Sequence, residues 1–266
     1  MNNVLICLGM HRSGTSLISN WLHDCNLNIG DRLLGRNHTN KKGHFEDLDF
    51  HSLHEEILQY NNITPNGLIP PFQISINEYY YKKLISLINF KNSLHDQWGW
   101  KEPRTCLFVD HYKQIIPNAK YLILYRDYPF VVDSLMRRDL KDFTQWYNSL
   151  NIFTKIRRMK DIVNRKTKLT SLRNTYLSTW NIYNQNLLNL MYSLKKEDYI
   201  FTDYESLKEK DNEVFSKLIN WGFKLDFKPF SSVFDSKLIT EKLPDLSFDL
   251  ALENEAINIK NKMFSR

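Results

Sequence analysis

Apolar and polar positions follow two different periods along the chain, and the switches between them mark its elements. The run "NVLICLG" at 3–9 is short, apolar and ended by glycine, which predicts a buried strand. From 14 to 26 the spacing changes, and Leu17, Ile18, Trp21, Leu22 and Cys25 fall on one face of a helix. Residues 27–47 are polar and loop-like, and helices are predicted at 48–60 and 75–90, on either side of the proline-rich turn "GLIPPFQ". "WGWK" at 98–101 predicts a second strand ended by Pro103, with a helix at 105–116. "AKYLILYR" at 119–126 is the clearest strand, and Pro129 suits the first turn of a helix at 130–140, where its missing N–H is not needed. A long helical pattern rich in Trp, Tyr and Lys runs from 142 to about 195, and "DYIFTDYESL" at 198–207 gives one more strand and then a helix. The tail, with Pro229 and Pro244, reads as irregular with one short helix. Strands alternating with helices predict an α/β fold, a parallel sheet covered on both faces. Ligands bind such sheets at the carboxyl ends of the strands.

Composition narrows this picture. At 266 residues, 42% hydrophobic and 25% charged, the chain is globular and suits one domain over 1–266. The net charge of +6 suits an anionic ligand without demanding nucleic acid, and none is expected as a partner. The densest basic run, Arg157 to Lys168, reads as a solvated helix face. Cys7, Cys25 and Cys106 are too few and too scattered for a disulfide framework or a metal site, which fits a reducing compartment. The start "MNNVLICLGMH" has no basic leader and too short an apolar run for an anchor, so a cytoplasmic protein with no membrane span is expected.

The chemistry concentrates in "LGMHRSGTSL" at 8–17, between the first strand and the first helix. Backbone N–H groups from residues 12–16 at a helix start, with the helix dipole behind them, bind phosphate, and Gly9 and Gly14 permit the tight path. A nucleoside triphosphate loop needs a lysine where Thr15 stands, and a Ser or Thr beside it to hold magnesium. Here Ser16 could hold a metal but Thr15 supplies no cation; Arg12 does, from another point of the turn. That favours a ligand with a 5′-phosphate and a short anionic extension. A second element, "LILYRDYPFVVDSLMRRD" at 122–139, places Arg126 at a strand end and Ser134 in the next helix, a cation and a hydroxyl that could clamp a second phosphate.

Together, "HRSGTSL" and "YRDYPFVVDS" resemble the two cofactor motifs of the sulfotransferase family. "DYESL" at 203–207 resembles that family's Tyr-Glu-x-Leu segment, and "GHFED" and "WGWKEPRT" resemble segments of its bacterial and tyrosylprotein-type branch. The resemblance implies a single P-loop NTPase-like α/β domain that uses 3′-phosphoadenosine 5′-phosphosulfate (PAPS), releases adenosine 3′,5′-bisphosphate (PAP) and needs no metal. It implies that His11, Arg12, Ser13, Gly14, Thr15 and Ser16 hold the 5′-phosphosulfate, that Arg126 and Ser134 hold the 3′-phosphate, and that Tyr204 belongs to the same site. The motifs span residues 4–207.

Sulfuryl transfer needs positive charge on the leaving oxygen and a base for the acceptor hydroxyl. Arg12 and Lys101 are the candidates for the charge; the other reading of Lys101 is a surface lysine lying along the sheet edge. "KKGHFEDLDF" offers the base. Glu46 is preferred by resemblance, His44 is next, Asp47 and Asp49 are further options, and Glu46 or Asp47 could instead cap the helix beginning near 48. His38, His44, His51 and His54 have no standard zinc spacing and read as separate solvated histidines. Trp146, Tyr147, Phe153, Tyr176, Trp180 and Tyr183 read as helix-packing core. The helical stretch 142–195 is expected to cover the site of a hydroxyl-bearing acceptor, and its basic residues would suit an anionic saccharide or glycolipid. Two other functions compete: a nucleotide kinase or NTPase with a degenerate loop, and a non-catalytic nucleotide-binding module.

Overall fold

The computed structural model describes residues 2–35, 43–234 and 246–266. Four parallel strands stand in the order β2-β1-β3-β4: β1 (Asn3–Leu8), β2 (Gln97–Lys101), β3 (Lys120–Leu124) and β4 (Tyr199–Thr202). β1 is central. Its Val4, Ile6 and Leu8 enter one apolar cluster, and its Leu5 and Cys7 enter a second on the opposite face. That two-sided burial is why the strand reads as an unbroken apolar run.

The second cluster is closed by α1 (Thr15–Asp24) and α9 (Tyr204–Asn220), through Trp21, Leu22, Leu207 and Leu218. The larger one is closed by α2 (Leu48–Tyr60), α3 (Glu78–Leu94), α4 (Val109–Ile115), α5 (Tyr128–Ser149), α8 (Arg173–Ser193) and α10 (Leu250–Phe264). Phe50 of α2 lies flat on Trp100 of β2, ring centroids 4.2 Å apart and interplanar angle 1°. This fixes the start of α2 over the end of β2. Between α5 and α8, on the outside, run α6 (Ile152–Arg157) and α7 (Met159–Ser171). Among the described residues no helix is long and apolar enough to cross a membrane.

Three elements differ from the sequence expectation. The helix expected at 105–116 is a 3₁₀ turn, Pro103–Leu107, followed by α4, with the Phe108 N–H bonded to the Thr105 carbonyl at the break. The stretch 142–195 is three separate helices after the end of α5; extended Leu150 stops α5, and Asn151 caps α6 through the Thr154 N–H. The C-terminal helix is fifteen residues long rather than short, because Asp249 caps it and Ala256, Ile259 and Met263 are buried against the core.

Strand order reverses between β2 and β3 on either side of β1. A crevice therefore opens at the carboxyl ends of β1 and β3.

Candidate active site

The 8–17 segment turns sharply out of β1 into α1. Gly9 sits so close to the end of β3 that an added Cβ would lie 2.8 Å from the Leu124 carbonyl oxygen and 2.7 Å from the Thr15 methyl. Gly14 caps α1 with φ 89°, under the ring of Tyr204. Arg12 also adopts a left-handed conformation, φ 67°, which a side chain rarely tolerates and which costs of order 1–3 kcal/mol. α1 has no side-chain cap and no acidic residue in its first turn, so its N-terminal amides keep their positive end toward the crevice. Ser13 and Thr15 are buried, and Thr15 packs inward beneath Gly9.

Arg126 and Ser134, named separately from the sequence, converge on Arg12. The Arg12 Nε–H donates to Ser134 Oγ at 2.9 Å, and Arg126 Nη1 donates to the Arg12 carbonyl at 2.7 Å. The Trp180 indole donates to the Arg126 carbonyl at 3.0 Å and fixes the turn that carries it. The Arg126 guanidinium lies 5.7 Å from the Tyr204 ring centre and 5.8 Å from that of Phe130. Its Nε is buried without a hydrogen-bond partner, as is His11 Nε2. Burial, with the guanidiniums of Arg138, Arg126 and Arg137 adding to it, brings Arg12 down to about 10. Burial likewise lowers Arg126, with Arg137 adding to it. Neither Arg12 nor Arg126 forms a salt bridge among the described residues. Burial pushes His11 down to about 3, so it is a neutral imidazole. Clustered cations, buried polar atoms without partners and an uncapped helix start fit an anionic ligand.

Lys101 is fully buried rather than lying on the surface. It follows the apolar register of β2 to the sheet edge, where Cys7 of β1 is its neighbour. Its Nζ donates to Glu46 Oε1 at 2.8 Å, to the His44 carbonyl at 2.6 Å and to Ser16 Oγ at 3.3 Å. One cation therefore joins the start of α1 to the segment carrying the candidate bases. The cap role falls to Asp47, whose Oδ1 accepts from the Asp49 N–H at 2.8 Å, and this leaves Glu46 to face Lys101. His44 is half-buried; burial lowers its pKa, and its Nε2 has no partner. Asp47 and Asp49 turn away. With Asp31 they surround the buried Lys91 Nζ at 2.7, 2.9 and 2.7 Å. This clamp ties α3 to the base of the segment that presents Glu46, where Leu33 and Asp47 form an antiparallel bridge.

A second buried network lies behind Lys101. Glu102 accepts from Arg104 Nε at 2.8 Å and lies 2.5 Å from His54 Nδ1, while His54 Nε2 lies 2.7 Å from the Tyr112 hydroxyl. Despite its burial, Glu102 stays well below the usual carboxylate range because Arg104 and His54 face it. This corrects the reading of the histidines as separate and solvated: His54 is 0% exposed. His51 is half-buried, 3.8 Å from Glu55, and His38 lies outside the described residues. Sequence reasoning missed Glu102, Arg104 and Lys91. Glu102 and Arg104 sit in the quoted "WGWKEPRT", and Lys91 continues the buried Leu84 and Ile88 stripe at helical spacing. Among the described residues, no group of three or more His, Cys, Asp or Glu is placed to hold a metal ion. Burial pushes the Cys7 and Cys106 thiols up to about 12, which removes them as nucleophiles.

The aromatic stripe divides. Tyr176, Trp180 and Tyr183 are core, and Tyr183 lies against His11 with ring centroids 6.1 Å apart. Phe153, expected in the core, is 80% exposed, because α6 is too short and too far out to reach it.

No family model and no curated protein matches the sequence. Solved structures do match its shape. Sulfotransferase STF9 from Mycobacterium avium superposes with a TM-score of 0.59 at 12% identity, over 99% of this chain and 76% of that one. The sulfotransferase domain from the curacin biosynthetic pathway superposes with a TM-score of 0.53 at 14% identity, over 99% and 98%. The chain therefore has the fold of the bacterial sulfotransferases.

Proposed function

We propose that the protein is a PAPS-dependent sulfotransferase acting on a hydroxyl-bearing acceptor. The observation that carries this reading is the convergence of Arg126 and Ser134 on Arg12, with a buried Arg126 Nε that has no partner. A cationic cluster beside the helix start suits a nucleotide phosphorylated at two positions. His11, Arg12, Ser13, Gly14, Thr15 and Ser16 hold the 5′-phosphosulfate, and Arg126 and Ser134 hold the 3′-phosphate. Tyr204 packs against Gly14 and beside the Arg126 guanidinium.

The donor supplies a sulfuryl group with a good leaving oxygen. In an in-line displacement the S–O bond to the nucleotide phosphate breaks as an S–O bond to the acceptor forms. Arg12, Lys101 and the amides of α1 stabilise the charge that develops on the departing phosphate oxygen. Glu46 takes the acceptor proton, and His44, whose pKa burial lowers, is the alternative base. The Lys101–Glu46 bond holds both groups at the sheet edge until substrates divide them. The kinase reading is weaker, because Thr15 replaces the loop lysine and Lys101 lies beside the Ser16 hydroxyl.

The test is calorimetric titration with PAP in EDTA beside ATP with magnesium. Micromolar or tighter binding of PAP alone supports the donor assignment. Magnesium-dependent ATP binding without a response to PAP overturns it in favour of a kinase, and no binding of either leaves a non-catalytic fold.

A further inference from the structure

The helices α6 and α7 carry an exposed surface on which the proposed reaction places no residue. Ile152, Phe153, Ile156 and Met159 are 62%, 80%, 64% and 63% exposed, four large apolar side chains within eight residues of sequence. Arg157, Arg158, Lys160 and Lys168 are exposed among and beyond them. Residues 152–171 contain seven Lys and Arg and one acid, Asp161, a net charge of +6. The whole chain is also +6, so the remainder is balanced and the excess charge lies in these two helices. They begin where α5 ends, roughly 22 Å along that helix from Ser134 at 1.5 Å per residue.

We propose that α6 and α7 dock the protein on an anionic lipid bilayer, with Phe153, Ile156 and Met159 entering the headgroup boundary and the basic side chains facing lipid phosphates. Water gives such apolar side chains no favourable place, and a polyanion such as nucleic acid or a sulfated polysaccharide would use the charge while leaving them wet. A second copy of the chain would bring one basic surface against another. A membrane surface satisfies both halves: apolar area is buried at the acyl boundary, and each Lys or Arg gains from the negative surface potential. The Lys155 ammonium, 4.6 Å from the Tyr147 ring centre, adds a cation and an amphipathic ring at the junction of α5 and α6. This inference does not depend on the sulfotransferase reading.

Co-sedimentation of the full chain with vesicles of phosphatidylcholine alone, and of phosphatidylcholine containing phosphatidylglycerol, tests it. Binding to the anionic vesicles only is expected, and it should weaken at least tenfold when Phe153→Ser, Ile156→Ser and Met159→Ser are combined. Charge reversal at Arg157, Arg158 and Lys160 should weaken it as much. A Phe153→Trp variant should gain a blue-shifted emission component, relative to the unsubstituted chain, that brominated lipid quenches. The substituted side chains are exposed, so each variant should melt as the parent does and titrate with PAP as the parent does. Failure to bind anionic vesicles overturns the proposal, as does binding that the triple serine variant leaves unchanged. Retention on heparin without vesicle binding would assign the surface to a polyanion instead. A dimer in solution that the triple variant dissociates would assign it to a second copy.

Discussion

Lys91 and Lys101 are the same side chain with nearly the same burial, 1% and 0% exposed, at opposite sides of one short segment. Lys91 meets three carboxylates, from Asp31, Asp47 and Asp49. Lys101 meets one, from Glu46, and its other two partners are a carbonyl and a hydroxyl. The first cation is surrounded by three negative charges. The second is only just balanced and stands beside the uncapped start of α1 and a cluster of guanidiniums. Under the proposed function, burial alone does not separate a structural lysine from a reacting one. The charge of its partners, and what lies on its open side, do.

The sharpest way to break this contrast is to remove each lysine and compare the losses. Lys91→Met leaves three carboxylates facing one another and should cost about 3–5 kcal/mol of stability, read by denaturant melting, while the folded fraction binds PAP as before. Lys101→Ala should do the reverse: melting changes less, PAP still binds, and kcat falls about 10²–10³-fold. If Lys101→Ala transfers at the parent rate, its role as a charge stabiliser is wrong. If Lys91→Met abolishes turnover at full stability, the clamp belongs to the chemistry.

Glu46→Gln should lower kcat about 10²-fold or more, with little change in PAP affinity, as expected for loss of a general base. Full activity in that variant moves the base to His44. Arg126→Ala should weaken PAP by about tenfold to a hundredfold, the scale of a lost charge-assisted contact, and weaken adenosine 5′-phosphate far less. Equal weakening of the two nucleotides would remove Arg126 from the 3′-phosphate.

How much of this was legible in the sequence follows from how local each signal is. Arg12, Ser13, Gly14, Thr15 and Ser16 lie in one turn between a strand and a helix, so their spacing carries the geometry. Arg126 is legible because an apolar strand delivers it to the sheet edge, and Ser134 because it lies in the second turn of the helix that follows. Glu46 and Asp47 could not be told apart as base and cap from the sequence, since either carboxylate can cap a following helix. The Asp49 N–H, bonded to Asp47, assigns the cap, and the Lys101 Nζ, bonded to Glu46, is the contact on which the proposal of Glu46 as base rests. The partners of Lys91 lie 60, 44 and 42 residues away, and those of His54 lie 48 and 58 away, so no local pattern announces either cluster. The length of α10 was missed for a related reason. Its helical face is weak alone and is stabilised by α8, where Asn181 Nδ2 donates to the Leu252 carbonyl at 3.0 Å.

The smallest effect, and the one that tests the clamp without a substitution, is the acid limb of stability. Burial pushes Asp31 up, but hydrogen bonds from Lys91, Asn28 and His95 outweigh it and bring its carboxyl down to about 2 from the ordinary 3.8. Asp49 is lowered by Arg32 and Lys91 against the same burial penalty. Asp47 moves the other way, because burial dominates it. A carboxyl held low in the folded state binds fewer protons there than in the unfolded chain. Its contribution is therefore present above about pH 4 and is lost as the pH falls toward 2. Asp47 partly cancels this, since it takes up its proton earlier in the folded state. The net expectation is a shallow loss of stability below pH 4, followed by urea melts at successive pH values. In Lys91→Met the lysine's share of the support for low carboxyl pKa values is gone, so that component should shrink and the slope should flatten. An unchanged slope would mean that the acid sensitivity arises elsewhere and that Lys91 is held by packing more than by its three carboxylates.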